Sequence, residues 1–350
     1  MLNVIEPVIG MTDTAIIGRL PEHASDSQAG VGLAAGLMSL LIWSLAQLRT
    51  SISAITSQYL GMNRVNEVRT LVPIALFASI LLGVIAWLGT SLFYEPISDF
   101  IYNKSDPTIL REARDYYLIR SIGLPFALFM ACCFGVFRGL QNTSWAMYIS
   151  IIGGGLNLIG DMVLVNGFWV FPALGVEGAA YASLGAQIIM ALLCVVALQS
   201  KTPFSILGFG KKVVELKRML LIFFNMFIRT IGVSGVFVLS LRMANEYESL
   251  KEGTLAAYSI GINIWLFSSY FIDGFSNAGN AISGKLLGNS DYNKLRLLRN
   301  DLLKINLWIG LGLGAVYVIL YWPLGYLFSK DPVVQEIFFS FFWVIIIMQP

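Results

Sequence analysis

Ser53-Ala-Ile-Thr-Ser-Gln-Tyr-Leu-Gly61 recurs as Asn280-Ala-Ile-Ser-Gly-Lys-Leu-Leu-Gly288, 227 residues downstream. Each copy closes an apolar stretch and precedes a short polar loop with basic residues. The same offset carries Pro96 onto Pro323, and an offset of 225 carries Lys104-Ser-Asp-Pro107 onto Ser329-Lys-Asp-Pro332 and Pro125 onto Pro350. The second part of the chain therefore repeats the first. Duplicated helical bundles, with sites at the repeat interface, are how many secondary transporters are built.

Composition sets the solvent. The 350 residues are 57% hydrophobic and only 13% charged, against about 25% charged in soluble domains. Mean hydropathy is +0.73, and apolar runs of about 20 residues, the length that crosses a bilayer, recur throughout. The reading is an all-α polytopic membrane protein in contact with lipid. A net charge of +2, with the basic residues in loops, gives no sign of a nucleic-acid partner. Cys132, Cys133 and Cys194 lie in apolar runs without disulfide or metal-ligand spacing and read as small buried hydrophobes. The opening MLNVIEPVIGMTD lacks the basic start and cleavage site of a signal peptide.

Ten spans are predicted, at 3–19, 29–61, 70–94, 112–138, 145–166, 175–199, 217–245, 254–287, 297–321 and 335–350. Loops after the even-numbered spans hold Arg64, Arg69, Arg138, Lys201, Lys211, Lys212, Lys217, Arg218, Lys294, Arg296 and Arg299, while the opposite loops are poorer in bases and richer in acids. The positive-inside rule then places the N-terminus and those loops in the cytoplasm. The expected organisation is an N-lobe of six spans over 1–200, a solvated cytoplasmic linker over 201–218 and a partial C-lobe of four spans over 219–350. A six-span unit crosses an even number of times, so its copy has the same orientation and the two pseudo-symmetric bundles share an axis along the membrane normal. Pro125 lies inside the fourth span and its counterpart Pro350 is the last residue. The expectation is a twelve-helix protein with about ten helices present, shortened at both ends.

Ionisable groups inside spans are costly and face a cavity or a partner. The acids so placed are Glu6, Asp13, Asp161 and Asp273. Pro7 and Gly10 loosen the first span, where freed carbonyls and the Thr12 and Thr14 hydroxyls stand near Asp13 as oxygen ligands. Asn157 and Asp161 are four apart and project from one helix face. Desolvation disfavours a buried carboxylate, and a second carboxylate disfavours it further, so such a pair binds a proton near neutrality. Alternatively, two carboxylates and an amide hold a hard cation such as Na+ through oxygen, or the three groups only bond across helices. Asp273 in Phe271-Ile-Asp-Gly-Phe275 either lines a substrate path or caps a break at Gly274. Arg49, Arg120, Arg229 and Arg242 are the bases within spans; Arg242 is expected to snorkel, the other three to pair with acids or line a cavity. Trp43, Tyr116, Phe129, Met130, Tyr148, Trp265 and Tyr270 form an apolar pocket or, more simply, pack. Gly153-Gly-Gly155 has no following Lys-Ser/Thr and serves close helix approach rather than phosphate binding. His23 is the single histidine, and no nucleophile–base arrangement appears, so an enzyme is not expected.

Pro7–Leu20 (PVIGMTDTAIIGRL), Ser57–Gly61 (SQYLG), Arg138-Gly-Leu140, Gly155–Asp161 (GLNLIGD), Gly175–Ser183 (GVEGAAYAS) and Asp273-Gly-Phe275 together resemble the multidrug and toxic compound extrusion (MATE) family, within it the DinF-like branch. The resemblance implies an antiporter that exports amphipathic, often cationic, organic compounds in exchange for H+ or Na+. It implies a bacterial inner membrane as host; a monomer with no cofactor beyond that ion is the further expectation. It implies an N-lobe coupling site at Asp13, Asn157 and Asp161, the residues that would hold Na+, with Ser183 where relatives carry a threonine. The seventh span has Asn225 and Arg229, substrate-path candidates with Asp273, but no glutamate, which favours coupling through the N-lobe. The rival readings are a flippase for lipid-linked precursors, for which Arg49, Arg120 and Arg229 are sparse diphosphate ligands, and a membrane fragment that transports nothing.

Overall fold

In a chain this apolar, backbone polar groups are satisfied within helices rather than by solvent, and helices are what form. The structure, a computed structural model, describes residues 16–17, 24–102, 107–168, 172–208, 210, 213–248, 251, 253–328 and 331–349. Its helices are α1 (Ala24–Leu45), α2 (Leu48–Gly61), α3 (Leu71–Leu92), α4 (Tyr94–Tyr102), α5 (Pro107–Ser121), α6 (Leu124–Gly139), α7 (Ser144–Leu164), α8 (Gly175–Lys201), α9 (Leu216–Glu248), α10 (Thr254–Gly288), α11 (Tyr292–Ile319), α12 (Tyr321–Phe328) and α13 (Pro332–Ile347). With α1 and α2 taken as one span, six are long and apolar enough to cross a membrane; α5 and α6 together make a seventh, bent by 54°. The 35-residue α10 is diluted by Ser, Asn and Gly, and α13 is a shorter apolar helix of 16 residues. The first predicted span lies outside the described residues apart from Ile16 and Ile17.

Two predicted spans are broken. The second pauses at Ala46–Gln47 between α1 and α2. The fourth begins at Pro107, earlier than expected, and breaks at Ile122–Gly123. Pro125 lacks the N–H that would bond back into the preceding turn, so it sits in the first turn of a new helix instead. Gly83 of α3 receives that bend: a Cβ there would stand 2.4 Å from Pro125 Cα.

The chain divides into two units, residues 4–228 and 229–350. In the first, Ile52, Ile55, Leu71, Val136 and Phe137 anchor one core cluster and Val31, Tyr117 and Leu124 another. In the second, Ile264, Tyr317, Phe338 and Phe342 do the same. The first turns of α9 pack with the first unit, through Met219 and Phe223, although 219–350 was expected to form the second lobe. Outward faces are apolar: Phe77, Leu92, Trp308, Ile319 and Leu327 are each more than half exposed. On a soluble protein such patches would mark association; on membrane helices they meet lipid.

The sequence repeat survives as a repeat of contacts. The helices α4 and α12 start 227 residues apart, and α5 and α13 start 225 apart. Within the first unit Tyr94 packs on Tyr117 at 5.1 Å between ring centroids, and at the same offsets Tyr321 packs on Phe342 at 5.5 Å within the second. The hydroxyl has changed helix. Tyr117 of α5 donates to Thr90 Oγ1 of α3 at 2.6 Å. In the second copy α11 carries the tyrosine, Tyr317, whose ring lies 6.0 Å from Phe342 and whose hydroxyl bonds Ser268 of α10.

The linker is docked as well as solvated. Lys201 Nζ lies 5.1 Å over the Trp145 ring, and Phe204 is buried. Tyr59 donates to Glu215 Oε1 at 3.1 Å and Arg218 to Gln58 Oε1 at 2.6 Å. Gln58 and Tyr59 of the repeated motif thus hold the base of α9, whereas the second copy has Lys285 and Leu286 there. Arg218 is 42% exposed, so each bond is worth about 0.5–1 kcal/mol. The double change Tyr59→Phe with Arg218→Met is expected to speed proteolysis within 202–215 severalfold while the spans stay protected. Unchanged cleavage would show that the linker is held by other contacts.

Candidate functional site

α7 and α8 run side by side because small residues line their seam. A Cβ on Gly160 would stand 2.9 Å from Ala182 Cβ, and Met190 of α8 lies across Gly153. The expected close approach at the glycine run is therefore present, and it brings polar groups together inside the first unit. Asn157 and Asp161 share one face of α7, one turn apart, and Ser183 faces them from α8. Their exposures are 2%, 0% and 2%. Asn157 Nδ2 donates to Asp161 Oδ2 at 3.1 Å and to Ser183 Oγ at 3.3 Å. One amide group thus bonds one carboxylate oxygen and a hydroxyl on two helices, in an interior where an unmade bond would cost several times what a made one contributes.

A second polar group lies one turn further along α8. Gln187 is 7% exposed, and its Oε1 reaches the break between α5 and α6. Gln187 Oε1 and Arg120 Nη1 stand 2.1 and 3.1 Å from the point a Cβ of residue 123 would occupy, so any larger residue at position 123 would displace the Gln187 side chain. Both atoms are buried and make no hydrogen bond within the protein. Arg120 was legible as an in-span base; Gln187 was not read as a site residue. Its position four after Ser183, on the same helical face, was the available signal.

Of the remaining candidates, Asp13 lies outside the described residues. Asn225 and Arg229 of α9 and Asp273 of α10 are exposed. Arg242 is exposed and 3.9 Å from Glu246. Tyr116, Phe129 and Met130 are core residues, and Tyr148 is 51% exposed, so they do not form one pocket. Within the second unit a hollow of about 260 Å3 is lined by Met243, Tyr247, Tyr258 and Phe341, with Ser240 and Thr254 as polar edges. Among the described residues no three His, Cys, Asp or Glu side chains form a group that could hold a metal ion, so any cation here would meet a mixed set of carboxylate, amide and hydroxyl oxygens.

Comparison with known proteins gives one consistent result. The MatE family model matches residues 1–163 and 222–350. Protein DETOXIFICATION 43 of Arabidopsis thaliana is 30% identical over 260 residues, covering 73% of this chain and 48% of its own length. DNA damage-inducible protein F of Escherichia coli is 26% identical over 306 residues, covering 84% of this chain and 62% of its own. The chain thus spans about half to two-thirds of these relatives. A crystal structure of a MATE protein in the bent conformation superposes with a TM-score of 0.87 at 19% identity, covering 99% of this chain and 75% of that one, a likeness of fold.

Proposed function

Because the chain belongs to the MatE family of multidrug and toxic compound extrusion proteins, we propose that it works as a cation-coupled antiporter for small amphipathic, often cationic, organic compounds. The observation that carries this reading is the buried Asn157–Asp161–Ser183 cluster. A carboxylate, an amide and a hydroxyl brought together from two helices, with no water-facing side, match the ligand preference of H+ or a hard alkali cation. The amide suggests how the site changes state. As it stands, Asn157 turns its NH2 to both neighbouring oxygens, filling with N–H the place a cation would take. A half-turn of the amide would present Oδ1 instead, giving three oxygens from two helices.

The energetic requirement is that the ion and the exported compound bind the two access states unequally; otherwise neither shifts the equilibrium. Neutralising Asp161 removes the main electrostatic cost of its burial and so favours one packing of α7 on α8 over another. Asp13 on the first span is proposed as a fourth ligand, and Asn225, Arg229 and Asp273 as substrate-path residues. No cofactor is required. A monomer in the bacterial inner membrane, N-terminus inside, of the DinF-like branch, is the setting proposed.

Substrate-evoked collapse of an imposed pH or Na+ gradient in inverted vesicles tests this. Wild type is expected to collapse one of the two, and Asp161→Asn neither, with equal insertion of both into the membrane. Undiminished collapse in Asp161→Asn would remove the cluster from the mechanism. No collapse with any organic cation, but translocation of a lipid-linked diphosphate, would favour the flippase reading.

A further inference from the structure

The break between α5 and α6 holds a half-buried guanidinium, with Arg120 Nη1 buried, that coupling through Asp161 does not by itself use. Arg120 sits at the last turn of α5, its Nη1 buried without a protein partner. Among the described residues, Gln187 Oε1 is a second buried atom without a hydrogen bond, and it faces the same notch over Gly123. A guanidinium with a buried, unbonded nitrogen is expensive unless another charge in the lobe offsets it. The row of buried polar groups supplies one. Gln187 is one turn from Ser183 on α8, Ser183 bonds Asn157, and Asn157 bonds Asp161.

We infer that Arg120, lodged with Gln187 at the helix break, is the fixed counter-charge of the Asp161 site and sets how tightly that site holds its cation. The inference rests on the N-lobe reading above. With the site empty of cation, the Asp161 carboxylate and the Arg120 guanidinium balance inside the lobe. A cation entering the cluster meets the field of Arg120, which weakens its binding and so keeps release fast enough for turnover. Gln187 is the positioning residue: its carbonyl oxygen accepts from the guanidinium after a small rotation or through one water, and it fixes the charge at the break. With Gln187 one helical turn from Ser183, the two charges are separated on the order of 10 Å. At an effective dielectric near 20, that separation alters ion affinity of order tenfold.

A ligand that binds only the folded state raises Tm with its concentration, so a Na+ titration of Tm reads the affinity of the purified chain in detergent. Asp161→Asn is expected to lose the Na+ response. Arg120→Gln, which removes the charge, and Gln187→Glu, which neutralises it in place at nearly constant volume, are both expected to move the response to about tenfold lower Na+. Arg120→Lys is expected to stay at the wild-type midpoint. If Arg120→Gln does not fold, Gln187→Glu decides. Wild-type midpoints in both neutralising variants, with Asp161→Asn unresponsive, would overturn the counter-charge while leaving the Asp161 site standing. A full Na+ response in Asp161→Asn would instead overturn the site itself. A wild-type Tm indifferent to Na+ would overturn the inference together with sodium coupling.

Discussion

Gly83→Leu is expected to prevent the first unit from folding, and Gly83→Ala to destabilise it by about 1–3 kcal/mol or more. The cause is backbone against backbone. A Cβ at position 83 would lie 2.4 Å from Pro125 Cα and 2.7 Å from its nitrogen, with Leu124 C at 3.0 Å. None of these atoms can rotate aside, and the proline ring fixes its own φ, so the helix α3 would have to leave the bend. Gly89 on the same helix is the control. A Cβ there meets nothing within 4 Å, so Gly89→Ala should stabilise by about 0.5–1 kcal/mol, the usual gain of alanine over glycine inside a helix. Melting of both variants in detergent checks this. Equal Tm values would mean that α3 does not depend on the contact with Pro125.

That contact also shows what could and could not be read in advance. Proline at 125 announces a disturbance, and the 54° bend is where the chain takes it up, at Ile122–Gly123. The spacing of apolar residues located the long helices, because a bilayer imposes both their length and their composition. It missed α4 and α12, eight or nine residues each. Pro96 and Pro323 read as loop residues, yet proline is welcome in the first turn of a helix. Their matching offset of 227 residues was the clue that both copies do the same thing there. The break at Ala46–Gln47 has no such mark; nothing in Trp43-Ser-Leu-Ala-Gln-Leu-Arg49 breaks a helix by propensity, and packing decides it.

The site was legible in proportion to how local it is. Asn157 and Asp161 are one helical turn apart, so a single helix face predicts their contact. Ser183 joins from another helix, and only the family resemblance pointed to it; the 3.3 Å approach to Asn157 follows from the small residues along the α7–α8 seam. Arg120 and Gln187 sit on helices far apart in sequence and meet only because α5 and α6 are bent around a glycine. No periodicity within one helix encodes such a meeting. The docking of the linker is non-local in the same way. Its basic residues obey the loop-charge rule, which is silent about Phe204, Glu215 and Arg218 finding partners on the first unit.

Asn157→Leu is expected to lower ion-driven efflux about 10- to 100-fold, since the Asp161 carboxylate loses a buried donor worth about 1.5–3 kcal/mol. Ser183→Ala should cost far less, about threefold, because its bond to Asn157 is a longer one between neutral groups, and Ser183→Thr should be close to silent. The ordering distinguishes a coupling site from mere helix glue. Leucine keeps the branched four-heavy-atom skeleton of asparagine although it is bulkier, and an apolar residue in a seam between membrane helices packs well, so the folded protein should persist in Asn157→Leu. If the cluster only ties α7 to α8, efflux per folded molecule will be unchanged in every variant, and any loss will follow the amount of protein. If it binds the coupling ion, efflux per folded molecule will fall in the order Asp161→Asn, Asn157→Leu, Ser183→Ala. A deficit in Ser183→Ala as large as in Asn157→Leu would place the ion nearer α8 than the short bond to Asp161 implies.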